Sequence, residues 1–242
     1  FNVDDVGYAS AAAAGLTGGD ITPTGASVGT KQGFSIIKYT GTGTAGTISH
    51  GLLEQPKFVV IKDLINTNAW AIQHVGTTLG TGLLKLNATN AVDNSVASAV
   101  WNSTAPTSSV FSVGTSGDTN YTTNSAEYIT YLWHDVPGLQ KFGTYVGNED
   151  TGGDGPFVEL GFRPAIIWIK NTDQGTSAAD WVIYDSERNK FNPSGKQLYQ
   201  NRNAAESDES SHYFDILSNG FKVRSTSTSD LTNATDTYIY CA

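Results

Sequence analysis

Short apolar runs separated by clusters of Gly, Thr, Ser, Asn and Pro set the rhythm of this chain. In the first half they fall at residues 34–39, 58–63, 69–74, 83–86, 110–113 and 128–133. In the second half they fall at 142–146, 157–160, 165–170, 181–184, 196–198, 213–217, 220–224 and 237–240. The runs are rich in β-branched and aromatic residues and none carries a sustained 3.6-residue apolar period, which predicts antiparallel strands with helix only as isolated turns. Phe58-Val59-Val60-Ile61 and Ile166-Ile167-Trp168-Ile169 are continuous apolar runs, expected in central strands covered on both faces. Asn219-Gly220 predicts a tight hairpin, because both residues tolerate positive φ. Residues 1–32 have no sustained period and carry Pro23 as a breaker. They read as an extended arm of the kind ordered by packing on a neighbouring subunit.

The pattern is written twice. Tyr39 and Gly41 are answered by Tyr145 and Gly147, and Phe58-Val59-Val60-Ile61-Lys62 by Ile166-Ile167-Trp168-Ile169-Lys170. Trp70 is answered by Trp181, Phe111 by Phe221, and Tyr128 by Tyr238, all in one order with offsets drifting from 106 to 111. A period this long exceeds the units of ordinary solenoids and propellers, so each copy is a small domain or half of a larger sandwich. The expected fold is all-β: two tandem, related antiparallel β-sandwich units of jelly-roll type. The expected boundaries are an arm at 1–32, repeat 1 at 33–138 and repeat 2 at 139–242.

With 38% hydrophobic and only 15% charged residues, the surface must be covered by uncharged polar side chains. The formal charge of −9 and scattered basic residues disfavour nucleic acid and anionic membrane surfaces as partners. They leave a neutral glycan or another protein open. One cysteine, Cys241, allows no intrachain disulfide and no metal-thiolate cluster. No apolar run approaches a membrane span. The chain begins at Phe1 without a signal-peptide pattern, so it reads as a segment of a longer polypeptide or a processed product.

Candidate chemistry is sparse. None of His50, His74, His134 and His212 lies in a nucleophile-elbow context or a metal-binding His pair, and His134-Asp135 reads as a structural pair before a ligand pair. Asp180, Asp185 and Glu187 surround a predicted strand, where solvent-facing acids are the ordinary expectation; a glycosidase would need two carboxylates across a cleft. Calcium needs several oxygen ligands on a glycine-bent loop, and Asn148, Glu149, Asp150 and Asp154 offer them. That run lacks EF-hand spacing and its counterpart at 42–47 has no acids, so a solvated hairpin loop is the competing reading. Calcium is the one cofactor the sequence leaves open.

Trp70, Trp168 and Trp181 occupy repeated strand positions and read as core. Trp101 and Trp133 have no Trp counterpart and are the candidates for exposed, ligand-stacking rings. Trp101, Asn102, Asp118 and Tyr121 are therefore the candidate ligand-binding residues of the first copy. Asn87, Asn102, Asn120 and Asn233 each begin an Asn-x-Thr triplet, expected by accident in so Asn- and Thr-rich a chain.

Gly15 to Gly25, Gly33-Phe34-Ser35-Ile36, Tyr39-Thr40-Gly41, His50-Gly51-Leu52, Val100-Trp101-Asn102 and Pro106 to Phe111 stand in a distinctive series. With Phe142-Gly143-Thr144-Tyr145, Gly161-Phe162-Arg163-Pro164 and Leu217 to Phe221, the chain resembles an uncharacterised domain of tail and tail-fibre proteins of marine bacteriophages, cyanophages among them. The resemblance spans essentially the whole chain, departs from the pattern by stopping early at Ala242, and brings no catalytic residues. It implies a virion component exposed to the outside, without enzymatic activity, that contributes to host-surface attachment by multivalent binding. Its partners would be copies of itself, as a trimer, other virion proteins, and a host-surface glycan or protein. The rival expectations are a capsid decoration or architectural filament subunit, and a carbohydrate-active module.

Overall fold

The computed structural model describes every residue except 177, 209, 210, 229 and 230. Strand accounts for 36% of the chain and helix for 5%, so the fold is all-β, of sandwich type. Among the described residues no helix is long and apolar enough to cross a membrane.

Two compact units divide the chain. The first comprises residues 1–85 and 93–136, the second residues 86–92 and 137–242. In the first unit, Phe34–Thr40 alternates so that Ser35, Ile37 and Tyr39 are buried, as a period of two on a half-covered sheet dictates. Glu127–Trp133 lies between Phe34–Thr40 and Phe58–Asp63, antiparallel to both. Ala71–His74 and Leu84–Lys85 extend the sheet beyond Phe58–Asp63. A second sheet of Gly46–Ser49 and Val110–Val113 faces it, and Ile48, Phe111 and Val113 close a common core with Ile37, Tyr39, Ile61 and Tyr128.

The second unit repeats this plan. Thr237–Cys241 lies between Phe142–Val146 and Ile166–Asn171, followed by Val182–Asp185 and Lys196–Tyr199. The opposing sheet pairs Phe157–Glu159 with Gly220–Val223 and adds Phe214–Leu217. Leu217 pairs with Gly220, leaving Ser218 and Asn219 as the expected two-residue hairpin turn.

Four expectations need correction. Residues 1–32 are not a free arm: Gly25–Gly29 adds to the edge of Phe34–Thr40, Asn2–Val3 joins it in parallel, and Leu16, Ile21 and Val28 are buried in the same unit. The small residues of Gly25–Gly29 hide a strand because pairing, not side-chain burial, holds it. Phe58–Asp63 is central and covered, but Ile166–Asn171, though central, leaves Ile166 exposed on one face. Of the three tryptophans read as core only Trp181 is fully buried. The repeat boundary is not a simple cut, because residues 86–92 pack with the second unit.

That segment is held by backbone and by a buried cation. Val92 N–H donates to Thr172 O at 2.8 Å. Lys170 Nζ donates to Thr89 O at 3.0 Å and to Asn171 O at 2.5 Å. Gly175 permits the approach, since a Cβ there would stand 3.2 Å from Ala91 N. Lys170 is fully buried, and burial lowers its ammonium pKa to about 8, the negative charge of Asp180 offsetting only part of the effect.

Between pH 8 and the ordinary value of 10.5, the unfolded chain holds this proton more tightly than the folded one. Lys170 therefore adds stability as pH rises through that window, partly offset above about pH 9 by Cys241, whose thiol burial pushes up, and reversed above about pH 10 by ionisation of tyrosines in the unfolded chain. The urea midpoint should rise between pH 8 and pH 9.5 by the equivalent of about 1 kcal/mol, and K170M should lack that rise. Equal slopes for the two proteins would show that Lys170 is not the group titrating.

Candidate functional site

The two units share one structural device at the same end of their main sheets. Tyr39 and Tyr128 are register partners and stack with centroids 5.2 Å apart and planes at 14°. Tyr145 and Tyr238 do the same at 4.9 Å and 8°. Phe111 and Phe221 meet the first ring of each pair edge-on, both at 6.1 Å. Such pairs add to the burial of the rings themselves.

The hydroxyls reach beyond the sheet to fix a loop. Tyr39 donates to Thr119 O and Tyr145 to Thr232 O. Tyr128 Oη accepts from Tyr121 N–H at 2.9 Å and donates to Gly117 O at 2.9 Å, while Tyr238 Oη accepts from Ala234 N–H at 2.9 Å. Burial pushes the phenols of Tyr39 and Tyr145 well above their usual range and Tyr128 to about 12, so all three remain protonated.

A buried asparagine completes each brace. Asn120 Oδ1 accepts from Thr42 N–H at 2.7 Å, and its amide donates to Thr44 O and Gly114 O. Asn233 Oδ1 accepts from Asn148 N–H at 3.2 Å and its amide donates to Asp150 O. Gly41 and Gly147 are required beside these loops, since a Cβ at either would lie 2.0 Å from Tyr121 O or Ala234 O. Asn120 and Asn233 are fully buried, so these two Asn-x-Thr triplets leave no room for a glycan.

One member of the device carries charge in one unit only. Asp63 pairs with Tyr128 and Asn171 with Tyr238. Burial raises the pKa of Asp63, but hydrogen bonds from Asn66, Ile65 and Asn68 outweigh it and hold the carboxyl below its usual range. Asn171 caps the same turn as a neutral group, accepting from Asp173 and Gln174 N–H.

The candidate ligand residues of the first copy do not form one face. Trp101 is only 1% exposed, its indole donating to Gly82 O at 3.1 Å, because the helical turn Ala97–Trp101 aims it into the core. It is not an exposed ring. Trp133 is half-buried between Phe34 and Phe58, at 4.8 and 5.2 Å. Asp118 is partly buried and accepts from Ala69 N–H. Asn102 is exposed at the left-handed C-cap of the helical turn, and Tyr121 is 47% exposed. No hydrogen bond or ring contact joins these two.

The acidic loop of the second copy is closed on itself. Asn148 Oδ1 accepts from Asp150 N–H, Asp150 Oδ1 from Asp154 N–H, and Asn148 Nδ2 donates to Asp154 O. Lys222 Nζ donates to Asp154 Oδ1 at 2.6 Å and to Gly155 O, holding that carboxyl below its usual range. Glu149 sits at positive φ with its backbone bound to Asn233 O. Three of the four oxygen donors expected for calcium thus serve the loop's own backbone or an ion pair. Among the described residues no three His, Cys, Asp or Glu side chains gather at metal-binding distance.

Three histidines brace their own loops. His50 accepts from Leu52 N–H through Nδ1 and bonds Thr107 O through Nε2, with burial lowering its pKa to about 4. His74 Nδ1 accepts from Gly76 N–H, and His134 Nδ1 bonds the backbone oxygen of Asp135. His212 Nδ1 stands 3.2 Å from Ser211 Oγ, a contact between chain neighbours.

Sequence reasoning missed a polar concavity in the second unit, about 400 Å³ in volume, lined by Ala88, Thr89, Asn90, Asp180, Asn201 and Arg202. Asp180 is 3% exposed, contrary to the solvent-facing expectation. Its carboxylate accepts from Asn201 Nδ2 at 2.6 Å and pairs with Arg202 Nη1 at 3.1 Å. The Arg202 guanidinium lies 3.8 Å over the Tyr199 ring. The only sequence signal was negative: Ala69 stands in the first copy where Asp180 stands in the second.

A family model described as a domain of unknown function (DUF7483) matches residues 6–242. The chain belongs to that family. No curated protein and no solved structure gives a significant match. The family match runs through both units without a break, as expected if the duplicated pair is the domain.

Each brace can be tested alone. N120A removes three hydrogen bonds to backbone and should cost about 2 to 3 kcal/mol; N233A, which removes two, should cost about 1 to 2 kcal/mol. Denaturant unfolding of both variants checks this, and losses below about 0.5 kcal/mol would show that the asparagines do not hold the loops.

Proposed function

We propose that this chain is a structural, non-enzymatic component of a bacteriophage virion, exposed on the tail or tail fibre, and that it contributes to host-surface attachment. The supporting observation is the contrast between the copies. In both braces a tyrosine hydroxyl and an asparagine carbonyl accept from backbone N–H groups of the loop, while the loops around them differ in charge and shape. A frame that repeats while its surface diverges suits display. The resemblance of the sequence motifs to phage tail domains and the uncharged polar surface support the same reading.

Attachment would be multivalent. Copies of the chain in a symmetric assembly, a trimer in this reading, repeat a weak contact, and avidity follows from the effective concentration of the remaining sites. The buried histidines and Asp63 are committed to backbone groups, which favours a binding module over a hydrolase.

Antibody labelling of intact particles followed by cryo-electron microscopy tests the proposal. Label at the distal end of a tail fibre, in threefold copies, is the expected result. A hexagonal array over the capsid, or a continuous helix of copies, would replace it with a decoration or filament role.

A further inference from the structure

We infer that the concavity of the second unit is a binding site for a carboxylate-bearing sugar, such as a uronate residue of a surface polysaccharide. It deepens the attachment reading and rests on it for its biological setting.

The walls are built in advance. Asp180, buried and fixed by Asn201, holds one edge of the Arg202 guanidinium. Tyr199 supports its face. Asn201 is itself locked, its Oδ1 accepting from Trp181 N–H at 2.8 Å. An arginine immobilised from two directions loses little further freedom when it binds, and its planar fork matches a carboxylate.

The opposite wall is the segment 86–92, held down by Lys170 and Thr172. It presents the Thr89 hydroxyl and the Asn90 amide, neither of which hydrogen-bonds to any described residue, as is true of the remaining Arg202 N–H groups. The unspent groups are thus mostly donors. Arg202 is the one cation in the lining and Asp180 the one anion, and the buried Asp180 is already satisfied by Asn201 and Arg202. A local excess of unspent donors selects a ligand rich in acceptors.

Apart from Ala88 the lining side chains are polar or charged. The amide and hydroxyl of Asn90 and Thr89 suit sugar hydroxyls, and the concavity is open, as a site for one residue of a longer polymer must be. The first copy cannot build this site, because Ala69-Trp70 replaces Asp180-Trp181.

The purified full chain, isotope-labelled, should be titrated at low ionic strength with sodium D-glucuronate, with D-glucose and sodium acetate as separate arms. Glucuronate should saturably shift the amides of residues 88–90 and 201–202, with affinity about tenfold or more above glucose and above acetate. R202Q should lose about tenfold or more and N90A about threefold. N90A alters an exposed residue and keeps the test valid if R202Q is unstable. Equal binding of glucose would overturn the carboxylate assignment, equal binding of acetate the sugar assignment, and wild-type affinity in N90A or in folded R202Q the site itself. Because the measurement uses the isolated chain, its failure is distinct from a failure of the particle-localisation experiment.

Discussion

The stacked tyrosine pair at the end of each main sheet is the interaction on which the rest of the structure depends. A phenol buried against another ring contributes apolar area, yet its hydroxyl still demands a partner. Here the partner is a loop backbone: Tyr39 and Tyr128 hold residues 117–121, and Tyr145 and Tyr238 hold residues 232–234. The same rings therefore join the two sheets of each sandwich through Phe111 or Phe221 and fix the crossing loop. Removing a ring would open the core and release the loop together.

Around that device the copies compensate. Where the first unit seats Tyr131 between Ile36 and Val60, the second seats Cys241 between Phe142 and Trp168, moving the large rings from the central strand to its neighbours. Where the first unit uses the carboxylate of Asp63, the second uses the amide of Asn171 to cap the same turn. Volume and hydrogen bonds are preserved while side-chain identity drifts, and this is why the duplication survives as eroded motifs.

Strands with β-branched or aromatic alternation, such as Phe34–Thr40 and Thr237–Cys241, were legible because their own side chains carry the signal. Gly25–Gly29 was not, since its pairing with Phe34–Thr40 supplies what its small side chains lack. Asn120 and Asn233 escaped comparison because they stand 113 residues apart while the tyrosines beside them stand 110 apart. Trp101 was misread because burial depends on Ala97–Trp101 turning toward Gly82, a tertiary fact. The concavity was illegible for a related reason: Thr89, Asp180 and Arg202 lie far apart in sequence and meet only because Lys170 draws residues 86–92 onto the second unit.

The central claim is that these tyrosines convert two long loops into fixed parts of the frame. Amide hydrogen exchange on the purified chain tests it most directly. The Tyr121 and Ala234 amides, which lie outside any strand, should be protected to within about tenfold of the central strands Glu127–Trp133 and Thr237–Cys241. Exchange of those two amides at the rate of open surface loops, with the central strands still protected, would contradict the account.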